Sequence, residues 1–154
     1  MYENTHQEQI DDRIGAIVLL VEDDPDDVHV IRMVLEKSPV ALDLQVVANG
    51  REAIAYLEKC LYDETCHMPD LVLLDLNMPM MDGTSFLKAV RAKREISALP
   101  ICVFTTSTDD DVIRKAYEAG ANMVVNKVDT LDDMRRVLDS IVDVWFKTAK
   151  RVYI

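Results

Sequence analysis

Apolar residues along this 154-residue chain fall into two alternating patterns. Short continuous runs suit strands buried on both faces, and the stretches between them repeat apolar residues at three- and four-residue spacing, as helices do. Ala16–Val21 is the first run, and Pro25–Lys37 follows as a predicted helix with Val28, Ile31, Val34 and Leu35 on one face. Leu44–Ala48 reads as a second strand, and a helix from about Arg51 to Cys60 turns Ala53, Ile54 and Leu57 inward. A longish loop, LYDETCHMP, leads to a third strand, Asp70–Leu76, and then to a helix, Thr84–Lys93, carrying Phe86, Leu87 and Val90. Pro100–Thr105 is the fourth strand and Asp109–Ala119 the next helix, with Gly120 suited to its left-handed stop. Asn122–Lys127 is the fifth strand. A long helix runs from about Leu131 to the end, with Thr130 and Asp133 resembling a capping box. Residues 1–14 read as a flexible polar tail, and residues 15–154 as one domain with an extended C-terminal helix.

Strands alternating with helices imply a parallel sheet covered on both faces. With right-handed crossovers, five such units fit an α/β, doubly wound sheet in the flavodoxin-like order 2-1-3-4-5. In that architecture ligands bind beyond the carboxyl ends of the strands, at the switch point between the first and third. The first strand ends in Glu22 and Asp23, the third in Asp75, the fourth in Thr105 and the fifth in Lys127. Three carboxylates, a hydroxyl and an ammonium thus meet at one edge. Carboxylates around a cleft call for a hard cation, and Mg²⁺ takes oxygen ligands while keeping several waters. Asp23 and Asp75 are the expected direct ligands, with one backbone carbonyl just after Asp75, and Glu22 acts through water. The blander alternative, solvated loop charges, suits one acid better than three at converging strand ends. Asp24, Asp26 and Asp27 read as the cap and first-turn charges of the first helix, with Pro25 at its first position.

Composition narrows the function classes. The net charge of −11 disfavours nucleic acid as a direct partner, because phosphate binding needs clustered Lys and Arg. No apolar run approaches about 18 residues, so no membrane span is expected. The N-terminus lacks the basic and apolar regions of a signal peptide. Cys60, Cys66 and Cys102 show no CxxC spacing and read as reduced cytoplasmic thiols. Cys66 and His67 are too few ligands for a structural zinc site.

Four stretches in this order, LLVEDDPDD, LVLLDLNMPMMDG, FTTS and VNK, resemble the receiver domain of two-component response regulators over about residues 16–143. The resemblance implies that Asp75 accepts a phosphoryl group from a sensor histidine kinase. It implies that Glu22 and Asp23 are the metal-binding acid pair, and that Asn77 offers its carbonyl to the metal. Thr105 would bond the new phosphoryl group and Lys127 would pair with it. The chemistry is consistent from below, since a carboxylate can attack phosphorus and phosphoryl transfer needs mostly alignment and charge neutralisation. Such a protein is a phosphoacceptor that promotes only its own phosphorylation and dephosphorylation. Pro79 and Gly83 read as turn residues that hold the loop beside Asp75, with Met78, Met80 and Met81 as loop packing.

Two positions depart from that family. Val128 follows Lys127 where a proline in a cis peptide is usual, and a trans bond is expected because cis costs about 3–4 kcal/mol without proline. Val124 stands where an aromatic ring usually swings inward, and a valine has no ring to swing, which leaves the switch mechanism open. Nothing after the domain reads as an effector, so the expected output is a protein surface or phosphate relay. The long loop before the third strand, TTS after the fourth and VWF late in the last helix also resemble the single-domain regulators paired with phytochrome kinases. A light-sensing histidine kinase is the partner that implies.

Met134, Val137, Leu138, Ile141, Trp145 and Val152 form a core stripe on the last helix, and Val142, Phe146, Ala149 and Tyr153 a second one. The double stripe suggests a homodimer through that helix, against the simpler reading that Trp145 and Phe146 close the monomer's own core. A phosphatase of the haloacid-dehalogenase kind is the competing function, but it needs an acid two residues after the nucleophile, where Asn77 stands. A flavodoxin-like FMN carrier would lack its Ser/Thr-rich phosphate loop. A receiver fold serving as an adaptor, with vestigial phosphorylation, is a third possibility.

Overall fold

The computed structural model describes residues 15–78 and 81–149. Its strands are β1 (Ala16–Val21), β2 (Leu42–Val47), β3 (Leu71–Asp75), β4 (Ile101–Thr105) and β5 (Met123–Asn126). Its helices are α1 (Pro25–Glu36), α2 (Gly50–Tyr62), α3 (Gly83–Ala92), α4 (Asp110–Ala119) and α5 (Leu131–Val142), followed by a π-helical turn, Asp143–Thr148. All strand pairs are parallel, and the sheet order is β2-β1-β3-β4-β5, as expected.

The period-two geometry of the strands sorts their side chains between two faces. Leu19, Val21, Val72, Leu74, Ile101 and Val103 point to one face and pack with Leu57 of α2, with Phe86, Leu87 and Val90 of α3, and with Ala116 of α4. Val18, Leu20, Leu71, Leu73, Cys102 and Phe104 point to the other and pack with Ile31, Val34 and Leu35 of α1 and with Met134, Leu138 and Ile141 of α5. The central strands β1, β3 and β4 are buried along almost their whole length, which explains their unbroken apolar runs.

The caps follow local chemistry. The Asp24 side chain accepts from the Asp26 N–H at 2.9 Å, and Pro25 opens α1. Thr130 accepts from the Asp133 N–H at 3.1 Å. Gly120 ends α4 with φ of 113°, where a side chain would be strained. Helix α2 begins one residue earlier than its apolar pattern suggests. Asn49 accepts from the Glu52 N–H at 2.9 Å, while the Glu52 carboxylate accepts from the Ala48 N–H at 2.8 Å.

Two expectations are corrected. The last helix does not stay regular to the end of the chain. After Val142 the backbone widens, with the Ala149 N–H donating to the Val144 carbonyl at 2.8 Å, and Ala149 itself is extended. Widening shifts the helical phase, so the neighbouring residues Trp145 and Phe146 both pack on the α1/α5 side of the core. The indole N–H of Trp145 donates to the Asp70 carbonyl at 3.0 Å. These aromatics therefore close the monomer's own core. Val152 and Tyr153 lie outside the described residues, as does the expected tail over residues 1–14.

The second correction concerns the cysteines. Cys60 and Cys66 form a disulfide, with their Cα atoms 4.7 Å apart. Cys60 sits near the end of α2, and the chain turns back at once, the Cys66 N–H donating to the Asp63 carbonyl at 3.0 Å. That turn, invisible in the spacing, brings the pair within bridging range. Cys102 is the remaining thiol, buried in β4, and burial pushes it up to about 12. Ellman titration without reductant is expected to count one thiol per chain, and only after unfolding. Three thiols in freshly isolated, unreduced protein would contradict the bridge.

Candidate functional site

The carboxyl ends of β1, β3, β4 and β5 carry Glu22, Asp75, Thr105 and Lys127 to one edge of the sheet. Strand register accounts for this. Val21 stands beside Leu74, Asp75 beside Phe104, and Thr105 beside Asn126, so each polar residue emerges where its strand stops. The Lys127 N–H donates to the Thr105 carbonyl at 2.8 Å, which fixes the backbone of the lysine just past β5. Among the described residues no peptide bond is cis, so Lys127–Val128 is trans as expected.

One oxygen from each of Glu22, Asp23 and Asp75 lies within 4.8 Å of the other two. Glu22 and Asp75 are buried, whereas Asp23 is exposed at the mouth. The Lys127 ammonium lies 2.8 Å from Glu22 Oε2, 2.9 Å from Asp27 Oδ2 and 3.4 Å from Asp75 Oδ2. The remaining oxygens are held by main chain. The Asp24 N–H donates to Glu22 Oε1 at 3.1 Å, and the Asn77 N–H donates to Asp75 Oδ1 at 3.1 Å. The Thr105 side chain is fully buried and its Oγ1 accepts from the Ser107 N–H at 3.0 Å, which leaves the hydroxyl proton as a donor.

Three carboxylates thus share one ammonium, Asp23 adds a fourth acid beside Glu22 and Asp75, and the local charge remains negative. Burial pushes the Glu22 carboxyl up to about 7. Its bonds to Lys127 and to the Asp24 N–H offset part of that, and the Asp75 charge adds to it. Burial alone would lower the Lys127 ammonium, but its bonds to Glu22 and Asp27 and the charge of Asp75 outweigh burial and hold it above the usual lysine value. Lys127 is therefore charged, and Glu22 is the group for which charge is costly. All donors in the trio are hard oxygens, so Glu22, Asp23 and Asp75 fit a hard divalent cation.

The loop after Asp75 is tied down from two sides. The Gly50 N–H donates to the Met81 carbonyl and the Gly83 N–H to the Leu76 carbonyl, both at 3.3 Å. A Cβ on Gly83 would stand 2.8 Å from Leu76 Cα and 2.9 Å from the Asp75 carbonyl oxygen, so only glycine lets α3 start this close to the acid. Met78 is buried against the core, Asn77 is exposed beside Asp75, and Pro79 and Met80 lie outside the described residues. Val124, in register with Val103, packs against the core, and its N–H donates to the Tyr117 hydroxyl at 3.1 Å.

Every residue singled out from the sequence for the site stands at this edge. Asp27 was missed. Its first-turn position explains it as a helix charge, but its carboxylate also reaches Lys127. Asp23 precedes the cap of α1, so helical period does not link Asp27 to the acid pair, and the sequence carries no signal for this contact.

Comparison with known proteins agrees with this geometry. Residues 18–139 match the response regulator receiver domain. Response regulator Rcp1 of Synechocystis sp. is 31% identical over 133 residues, covering 86% of this chain and 90% of that protein. The solved structure of the phosphorylated cyanobacterial phytochrome response regulator RcpA is 31% identical with a TM-score of 0.82, covering 89% of this chain and 98% of that one. The Mn²⁺-bound form of Rcp1 is 30% identical with a TM-score of 0.80, covering 89% and 99%. Phosphorylation on an aspartate, aided by a divalent cation, is general to receiver domains. A match over most of the chain, on a fold that gathers the acids, hydroxyl and lysine at one sheet edge, means that this chain belongs to the response regulator receiver domain family.

Proposed function

We propose that Asp75 is the phosphoacceptor, taking its phosphoryl group from a phosphohistidine of a sensor histidine kinase. A carboxylate oxygen of Asp75 forms the bond to phosphorus, the bond from phosphorus to the kinase imidazole breaks, and the imidazole leaves. The observation that carries this reading is the convergence of three carboxylates within 4.8 Å, with the Lys127 ammonium 3.4 Å from Asp75. Glu22, Asp23, Asp75 and the Asn77 carbonyl would hold Mg²⁺, which supplies charge neutralisation for the transferring group. Lys127 is placed to pair with a phosphoryl oxygen and Thr105 to donate a hydrogen bond to another. Asn77 supplies no second acid, so hydrolytic turnover of small phosphates is not expected. The chain promotes only its own phosphorylation and dephosphorylation.

The similarity to the cyanobacterial phytochrome response regulator RcpA supports a light-sensing histidine kinase as the partner, and the cytoplasm is the site of action that this reading takes. Among the described residues no helix is long and apolar enough to cross a membrane. Phosphotransfer from purified candidate kinases tests the reading. Transfer within seconds from one kinase, requiring Mg²⁺, is expected; no transfer from any candidate, together with no labelling by small phosphodonors, would refute it.

A homodimer through the terminal helix is the finer proposal. Trp145 and Phe146 serve the monomer core, so the contact would rest on exposed apolar residues such as Val144, 53% exposed on the π-helical turn. Sedimentation of the intact chain is expected to show a dimer at tens of micromolar, weakened by Val144→Glu. A monomeric parent, or a variant as dimeric as its parent, would remove this interface.

A further inference from the structure

We infer that Asp27 is a positioning residue that holds the Lys127 ammonium in place once a divalent cation occupies the acid trio; this rests on the reading of Asp75 as phosphoacceptor. Lys127 has a rigid backbone and a mobile stem. Its N–H is fixed on the Thr105 carbonyl, but four methylenes separate the ammonium from that anchor. Three carboxylates restrain the charged end, Glu22 at 2.8 Å, Asp27 at 2.9 Å and Asp75 at 3.4 Å. Two of these, Glu22 and Asp75, belong to the trio suited to a cation, and Asp27 does not.

That division matters when the trio is neutralised. A cation shared by Glu22, Asp23 and Asp75 cancels much of the negative field that draws the lysine inward, and it repels the ammonium directly. Asp27 is then the acid still committed to Lys127. Its own backbone is set by the first turn of α1. The Asp24 carbonyl accepts from the Val28 N–H at 3.0 Å, and the Asp24 side chain accepts from the Asp26 N–H at 2.9 Å. The lysine side chain is only 13% exposed, so the pair is not a freely solvated surface contact, although Asp27 itself is 38% exposed. An ammonium held beside Asp75 needs no reorganisation when phosphoryl charge arrives, and that is where a positioned cation accelerates transfer.

Two measurements test this, one without any phosphodonor. In Mg²⁺-saturated ¹⁵N-labelled protein, the side-chain ammonium signal assigned to Lys127 by its loss in Lys127→Arg is expected to be resolved. It is expected to broaden beyond detection in Asp27→Ala. The same signal in Asp27→Ala as in the parent would overturn the inference, even if the chain took up no phosphoryl group. The second measurement is the rate of labelling by acetyl phosphate at saturating Mg²⁺. Asp27→Ala is expected to slow it about fivefold in the parent and to leave it unchanged in Lys127→Ala, because contacting residues are non-additive. Equal slowing in both backgrounds would mean a general structural role and would overturn the inference. Absence of labelling in the parent would instead refute the phosphoacceptor reading and leave the ammonium signal to decide.

Discussion

Asp75→Asn is expected to abolish formation of the acyl phosphate. The substitution keeps shape and volume but replaces a carboxylate nucleophile with an amide, whose lone pair is committed to its own carbonyl. Labelling by acetyl phosphate with Mg²⁺ is expected to fall at least about a hundredfold, equivalent to about 2.7 kcal/mol of barrier. The fold should survive. Asp75 sits at the end of β3, its strand pairing uses backbone groups, and the Asn77 N–H can still donate to the amide oxygen. Circular dichroism and the melting temperature control for folding. Stoichiometric, Mg²⁺-dependent labelling of the folded variant would show that another residue is the acceptor.

Asp23→Ala is expected to have the second largest effect, on metal binding. Asp23 belongs to the acid trio but is exposed, and no ion pair to Lys127 is found for it. Removing it takes away a ligand without unseating the lysine. Mg²⁺ affinity is expected to fall by at least about tenfold, or about 1.4 kcal/mol. At ten times its dissociation constant the ion stabilises the parent by about 1.4 kcal/mol through mass action. The variant should lose most of that thermal shift. Without metal the sign reverses, because the repulsion Asp23 exerts on Glu22 and Asp75 is relieved. Solvent screening at an exposed acid keeps that gain below about 1 kcal/mol. Calorimetric titration and melting curves with and without Mg²⁺ check both signs. Unchanged affinity would place the metal elsewhere.

The parts of this molecule that depend on local chemistry and on period were legible before its fold was known. Unbroken apolar runs marked β1, β3 and β4 because parallel strands are buried on both faces. Strand order then followed from handedness, and strand order placed Glu22, Asp23, Asp75, Thr105 and Lys127 together. What escaped depended on tertiary geometry or on a change of helical phase. Asp27 has a sufficient local explanation as a first-turn acid, so nothing along the chain reveals that a lysine a hundred residues away reaches it. Cys60 and Cys66 meet only because the chain reverses within a few residues of α2. Trp145 and Phe146 fall on separate stripes of a regular helix, and only the π-helical turn brings both to the core. Asn49 was overlooked as a cap because the apolar pattern of α2 begins later than its hydrogen bonds do.

Locating the phosphoryl group in the wild-type chain tests the central claim most directly. Borohydride reduces an acyl phosphate on aspartate to homoserine, so the attachment site survives digestion and is read by mass spectrometry. After treatment with acetyl phosphate and Mg²⁺, homoserine is expected at position 75 alone, and nowhere when Mg²⁺ is chelated. Homoserine at any other aspartate, or a phosphorylated chain that yields none, would contradict the account.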